Sequence, residues 1–417
     1  MKIIILSLNY PRKAATSSGT FIHQQVKALQ ASGAECHVLS LYTWYPPFGL
    51  HKYHSYWDQG YWERMKILNE YEGVKIHAVP IYVKMPARLF NETYYDRAVN
   101  GLARYIKKTP ELAGADWIYA HFLTDMGYVG ARLKEKLNIK VAAIVRGDDV
   151  NAWPKSKPEL AEHIRYCFAH CDLLLANNKG LARQAMTFAR EIKPDFKIAY
   201  NGINYRDFEV NASLKDIAAI RAEHGLPENK KIMLCIAGAE YMKGWGELLQ
   251  AVAANRQAMG DWLLLAITNK VGRGEYYIDV EGKAKELGLQ DIVVVKNKMP
   301  FEVVKRLYPA VDVFVLPSYS EGISNAVMEA MASGCWTITT DVGGHSEIIE
   351  NNVNGFLIAP KSQKDLDDIL SYTLAHYDER REEIGKAARA SMERLGDYNY
   401  NARLLLDMFV SHDKAHK

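Results

Sequence analysis

Two glutamates eight residues apart, Glu321 and Glu329, are the carboxylates whose setting most suggests chemistry. They belong to VDVFVLPSYSEGISNAVMEAMASG (Val311–Gly334), in which a buried strand reads as ending at Pro317, a small polar loop follows, and a helix begins near Ser324. Such a loop turns backbone N–H groups and the positive end of a helix toward whatever lies above the strand, which makes it an anion site. Glu321 lies in the loop. Glu329 falls on an otherwise apolar helix face with Val327, Met328 and Met331, so its carboxylate needs donors, and sugar or ribose hydroxyls are suitable ones. Taken alone, the pair reads more readily as a helix-start glutamate plus a solvated one.

A loop of this kind needs a rigid frame. Short apolar runs alternate with helical patterns: KIIILSLNY then FIHQQVKALQ, DWIYAH then MGYVGARLKEKL, followed by KVAAIVRG, DLLLANN and FKIAYNG. After a polar stretch near Asp207–Lys231 the rhythm restarts with KIMLCIAGA, WLLLAIT, DIVVVKN, VDVFVLP, CWTITT and GFLIAP. This alternation predicts parallel sheets covered by helices on both faces. A chain of 417 residues, 48% hydrophobic and 24% charged, is too long for one ordinary core. The predicted fold class is α/β: two Rossmann-like doubly wound domains facing a central cleft, 1–205 and 206–389, with a C-terminal helix at about 390–417 completing the first. Ligands in such sheets bind beyond the carboxyl ends of the strands, so chemistry is expected in the loops that follow strands.

The glutamate pair does not stand alone. EGISNAVMEAMASG, with TTDVGGHSEII and NGFLIAP after it, resembles the family 4 glycosyltransferases, retaining enzymes of GT-B fold whose E-x7-E motif has the spacing of Glu321 and Glu329. NGINYRDF (Asn201–Phe208) is similar to the family's segment opening the interdomain link, and AGAEYMKGWGELLQA to its phosphate-binding loop. The resemblance implies that Glu321 contacts the donor sugar and Glu329 the ribose, while backbone amides of Gly322, Ile323, Ser324 and Asn325 meet the sugar and diphosphate. It implies that Lys243 contacts the donor phosphates and that His121, directly after DWIYAH, lies near the reacting sugar, a structural histidine being the alternative. His121, Glu321 and Lys243 are thus the candidate catalytic residues. VRGDD (Val145–Asp149) stands in place of the family's H-G-x-D, which makes Arg146, Asp148 and Asp149 candidate acceptor-binding residues. Arg146, replacing the usual histidine, points to an anionic acceptor such as a lipid pyrophosphate. Gly19 in SSGTF (Ser17–Phe21) matches the first turn, where backbone approaches the diphosphate or acceptor. One position departs: Gly238 stands where the family usually has an arginine, a loss of roughly 1.5–3 kcal/mol of phosphate contact unless another cation, such as Arg273, replaces it.

The implied reaction moves a hexose-type sugar from a nucleoside-diphosphate donor, UDP- or GDP-linked, to a hydroxyl of a glycan or lipid-linked acceptor, with retention, in polysaccharide or glycoconjugate assembly. The departing diphosphate needs positive charge, which Lys243, the loop amides and the helix end would supply without a metal. No DxD-type metal pair stands in a convincing loop, so no metal and no cofactor is expected. Two other readings share the fold. One is a non-hydrolysing sugar-nucleotide epimerase, against which the E-x7-E context argues. The other is a non-catalytic sugar-nucleotide-binding subunit, motivated by Gly238 and Arg146.

Residues 1–200 carry a charge of +9 and 201–417 one of −6. A basic half attracts an anionic membrane surface, nucleic acid or a phosphorylated substrate. No nucleic-acid-reading motif accompanies the basic residues, so nucleic acid is set aside. The helix YYDRAVNGLARYIKK and an aromatic insertion, Leu41–Lys66, with nine aromatic residues and two prolines, point instead to a membrane or acceptor contact, local packing of the rings being the alternative. The opening apolar run is too short for a secretory or membrane segment, so a cytoplasmic protein, peripheral at the inner membrane face, is expected. Five cysteines without zinc-type pairing, Cys167 and Cys171 at helical spacing among them, read as reduced thiols.

Overall fold

In β1 (Lys2–Leu6), Ile3, Ile4, Ile5 and Leu6 are all fully buried. A strand apolar on both faces belongs inside a sheet covered twice. β1 lies between β2 (Glu35–Thr43) and β5 (Trp117–His121), parallel to both. With β3 (Glu70–Tyr71), β4 (Val74–Ile81), β6 (Lys140–Val145), β7 (Leu173–Ala176) and β8 (Phe196–Ile198), the order is β3-β4-β2-β1-β5-β6-β7-β8. The short β3 pairs antiparallel with β4, and the other pairings are parallel. Because side chains alternate along a strand, Ile3 and Ile5 share a core with the helix Thr20–Ala31, and Ile4 and Leu6 share one with the helices Tyr94–Lys108 and Tyr128–Leu137. The computed structural model describes all residues except 14–18, 47, 54, 83–92, 209–212, 270–275 and 416–417.

This first domain comprises Met1–Asn201 and Tyr398–Lys417. The helix Tyr398–Ala415 sends Ala402, Leu405 and Phe409 into the first core, and Phe409 stacks on Trp117 with ring centroids 4.8 Å apart. The second domain, Gly202–Asp397, ends with the helix Gln363–Leu395, so residues 390–395, read from sequence as part of the returning helix, lie in the second domain. Its sheet is β11 (Val293–Asn297), β10 (Trp262–Thr268), β9 (Lys231–Ile236), β12 (Val313–Leu316), β13 (Trp336–Thr340) and β14 (Phe356–Ile358), in that order, with all pairings parallel. Each sheet therefore reverses its winding once, between β1 and β5 in the first and between β9 and β12 in the second. The carboxyl ends of these four strands and the loops leaving them carry Gly19, His121, Lys243 and Glu321, which sets them at the switch points where doubly wound sheets bind ligands.

Two expectations about the surface change. The helix Tyr94–Lys108, capped by a Thr93–Asp96 capping box, buries Ala98, Val99, Leu102, Ala103 and Ile106 in the first domain, so its apolar face is occupied by the domain's own core and does not present a membrane-binding stripe. In the aromatic insertion, Tyr45, His51 and Tyr61 pack together, with His51 stacked on Tyr61 at 3.9 Å, and Glu63 accepts the Thr43 N–H at 3.0 Å. Those rings form a local subcore beside β2, while Phe48, Leu50 and Trp62 remain exposed. Among the described residues, no helix is long and apolar enough to cross a membrane. All five cysteines are free thiols.

Candidate functional site

At the switch point of the second domain, β9 runs into a turn ending at Gly244, and the helix Trp245–Ala254 follows. Trp245 fixes the turn by donating its indole N–H to the Gly238 carbonyl at 2.7 Å. Gly244 has φ +73°, and a Cβ there would lie 2.2 Å from the Pro317 carbonyl oxygen, so only glycine lets this turn touch the loop after β12. Tyr319 donates its amide to the Met242 carbonyl at 2.8 Å, joining the loops again. The contact delivers Lys243 to Glu321: Nζ donates to Oε1 at 2.8 Å, with 28% and 15% of the two side chains exposed. One lysine proton is used, so the ammonium keeps donors for a phosphate and Glu321 keeps an oxygen for a sugar hydroxyl.

The loop Glu321–Ser324 is held from behind by the segment after β13. Gly344 donates to the Gly322 carbonyl at 2.7 Å, and a Cβ on Gly343, with φ +60°, would lie 2.1 Å from the same oxygen. His345 is the pin. Its Nδ1 donates to the Thr340 carbonyl at 2.9 Å, which leaves Nε2 to accept the Ser324 N–H at 3.3 Å, and burial holds its pKa below the ordinary histidine value. The Ser324 amide is thereby committed to the fold, which corrects its assignment as a donor-binding group. The amides of Gly322, Ile323 and Asn325 have no partner among the described residues and sit at the start of the helix Asn325–Ala332.

Glu329 finds a protein partner in the Tyr308 hydroxyl at 3.0 Å, a contact invisible in the motif. The residue keeps some surface, yet burial of its carboxyl pushes its pKa up to about 7, opposed by the tyrosine. At Gly238 the missing arginine has a local explanation: the Glu240 side chain is folded over the glycine, where a Cβ would meet Oε2 at 1.9 Å. That oxygen is buried without a partner among the described residues. This turn therefore carries a buried carboxylate oxygen where the family usually has an arginine. Arg273 lies outside the described residues.

The first domain's switch point is built differently. Gly19, φ +66°, packs where a Cβ would lie 2.2 Å from the Asn9 carbonyl oxygen and precedes the helix Thr20–Ala31; Ser17 and Ser18 of the same motif lie outside the described residues. β5 ends at His121, which is fully buried, and the chain then bends through Phe122 at φ +69° into a π-helical turn, Phe122–Gly127. Arg146 donates to His121 Nδ1 from Nε at 3.2 Å and from Nη2 at 2.9 Å. Nδ1 must then carry the lone pair and Nε2 the proton, and Nε2 is buried with no partner among the described residues. Burial, then the adjacent guanidinium, holds the His121 pKa well below the usual range, so the ring is a neutral N–H donor.

Arg146 itself is 9% exposed, and its remaining donors go to Gln25 Oε1 at 2.7 Å, the Tyr119 hydroxyl at 3.4 Å and Asn201 Oδ1. It is placed to hold His121, and its assignment as a surface for an anionic acceptor is corrected accordingly. Asp149 is fully buried and accepts the amides of Leu123, Arg146 and Gly147 at 2.8–3.0 Å, tying the exits of β5 and β6 together. Its acceptor-binding assignment is also corrected, because both oxygens are occupied by backbone. Asp148 remains exposed and available.

Comparisons with known proteins give the family and the fold. Residues 216–391 match the family described as Glycosyl transferases group 1, and residues 18–206 match Glycosyltransferase Family 4. TuaC of Bacillus subtilis (strain 168), a glycosyltransferase named for teichuronic acid biosynthesis, is 26% identical over 89% of this chain and 88% of its own. Sucrose-phosphate synthase from Thermosynechococcus elongatus superposes with a TM-score of 0.75 at 18% identity, covering 100% of both chains. Anabaena HepE in complex with UDP does so with a TM-score of 0.73 at 17% identity, covering 99% of this chain and 100% of its own. Two family matches that between them take in both switch points, on two parallel doubly wound domains, identify the chain as a member of the family 4 glycosyltransferases with the GT-B fold.

Proposed function

We propose that the chain transfers a hexose-type sugar from a nucleoside-diphosphate sugar to a hydroxyl of a glycan or lipid-linked acceptor, with retention at the anomeric carbon. The carrying observation is the Lys243–Glu321 pair beside the amides of Gly322, Ile323 and Asn325 at the β9/β12 switch point. On this reading Glu321 orients the donor sugar, Glu329 takes the ribose hydroxyls, and Lys243 with the loop amides receives the charge that develops on the departing diphosphate. That charge is supplied by the protein, so transfer is proposed to be metal-independent. In the first domain, His121 offers a neutral Nε2–H and Asp148 is the remaining exposed carboxylate for the acceptor. HepE is known in complexes with UDP and with UDP-glucose, which supports a nucleotide-sugar donor here.

A thermal-shift screen over UDP, GDP and ADP and their sugars tests donor binding, since a donor stabilises the folded state by mass action. Transfer is then assayed by mass spectrometry with the stabilising donor and a candidate acceptor, with EDTA present. Glu321→Ala is expected to lower kcat by roughly 100–1,000-fold with the fold intact. Unchanged turnover in that variant would remove Glu321 from the site. An epimerised donor in the absence of acceptor would replace the transfer reading, and an EDTA-sensitive reaction would remove its metal-independent part.

A further inference from the structure

The two imidazoles of His37 and His77 lie on the neighbouring strands β2 and β4, before His121's end of the sheet, and both are buried. His37 Nδ1 and His77 Nε2 face each other at 3.1 Å. Glu111, in the short 3-10 turn Pro110–Leu112 that leads toward β5, brings Oε2 to 4.0 Å from His77 Nε2, and the three ligand atoms all lie within 4.8 Å of one another. We propose that His37 Nδ1, His77 Nε2 and a Glu111 oxygen form a zinc site that staples β2, β4 and this turn, separate from sugar transfer.

The geometry suits the ion. Two nitrogens bound at about 2.0–2.1 Å to a tetrahedral zinc stand about 3.3 Å apart, close to the separation already present. Each imidazole also has the outer partner a metal ligand needs. His37 Nε2 donates to Glu35 Oε1 at 2.9 Å, which leaves the Nδ1 lone pair directed inward. His77 Nδ1 meets the Tyr105 hydroxyl at 3.3 Å.

Two rearrangements accompany binding. Without metal, the bonds run as a consistent chain: the Tyr105 hydroxyl donates to His77 Nδ1, His77 Nε2–H to His37 Nδ1, and His37 Nε2–H to Glu35. Binding moves the His77 proton from Nε2 to Nδ1, where it donates to the tyrosine oxygen, so the imidazoles release no net proton. Glu111 must also leave Lys75, whose Nζ holds it at 2.6 Å; these side chains are 49% and 53% exposed, and such surface pairs are weak. Lys2, 3.4 Å from Glu35 and donating to the Glu111 carbonyl at 2.8 Å, is the second cation facing the site. The two lysines oppose a dication and moderate its affinity.

The test uses the full chain, stripped with EDTA, exchanged into metal-free buffer at neutral pH and titrated with cobalt(II) and zinc(II). One equivalent of cobalt is expected to produce the intense visible bands of a four-coordinate ion, with water as fourth ligand; zinc should displace it and raise Tm. His77→Gln should abolish the bands. Glu111→Gln, an exposed change that spares the core, removes a charged ligand and should weaken binding by at least about 10–100-fold, the scale already seen for losing an outer partner of a ligand. Lys75→Met should tighten it. Absence of the cobalt bands and of a zinc-dependent rise in Tm would overturn the proposal, as would equal affinity in the wild-type, Glu111→Gln and Lys75→Met chains. Should His77→Gln fail to fold, the two surface variants decide alone. None of these readouts involves transfer, so failure here leaves the transferase reading untouched, and the reverse.

Discussion

The two switch points carry charge in opposite ways. In the first domain, the Arg146 guanidinium is buried among neutral acceptors, and no described carboxylate accepts from its side chain; Asp149, nearby, spends both oxygens on backbone amides. In the second, Lys243 and Glu321 are partly exposed and paired with each other. A buried charge held by several fixed dipoles costs free energy to install and is hard to move, so it serves to orient its neighbour. An exposed ion pair is worth little by itself and can be shared with an incoming ligand. The first mouth is therefore committed to geometry and the second to exchange.

That contrast breaks most visibly at Asp149. Asp149→Ala strands three buried amides and is expected to destabilise the first domain by roughly 3–5 kcal/mol, measured by urea unfolding. A loss below about 1 kcal/mol would mean that the β5/β6 mouth is not held this way. In the second mouth the effect should fall on ligand rather than fold. Lys243→Ala is expected to weaken UDP binding by roughly 1.5–3 kcal/mol in calorimetry while Tm without nucleotide barely changes. A large fall in Tm with unchanged affinity would reverse the comparison.

Glu329 tests whether the second mouth stores strain. Its pKa of about 7 in the folded chain stands above the ordinary 4.5. The folded state thus keeps a proton that the unfolded state gives up, and the stability this confers is full below about pH 4.5 and is lost as pH rises through about 7. Glu329→Gln should therefore gain on wild type by roughly 1–3 kcal/mol between pH 4.5 and pH 8, read from the second domain's unfolding transition. A constant difference across that range would contradict a raised pKa. The smallest effect is expected at Gly238. Gly238→Arg displaces only the flexible end of Glu240 and gives its buried oxygen a cation, so UDP affinity should rise about tenfold, equivalent to about 1.4 kcal/mol. Unchanged affinity would mean that the phosphates do not reach this turn.

The alternation of apolar runs was enough to read both sheets, since a parallel strand covered twice must be apolar throughout, as Ile3–Leu6 and Val313–Leu316 are. The loop with Glu321 was legible because strand, polar loop and helix start are contiguous. What was not legible depends on partners far away in sequence. Arg146 read as an acceptor-binding group because nothing in VRGDD announces Gln25, His121 and Asn201, and Asp149 read likewise because nothing there announces the Leu123 amide, 26 residues earlier. The commitment of the Ser324 amide to His345 and the Tyr308 partner of Glu329 were hidden for the same reason. His37 and His77, forty residues apart, meet only because β2 and β4 are neighbours.

The stacking of Phe409 on Trp117 has a consequence for synthesis. The first domain is complete only with Tyr398–Lys417, and the whole second domain lies between its two parts. At ribosomal rates of about 5–20 residues per second, roughly 10–40 s separate the emergence of Asn201 from that of Tyr398. For that interval the chain lacks the residues that cover Trp117 and Tyr119, so of the two domains the earlier to be translated is the later to have all its parts.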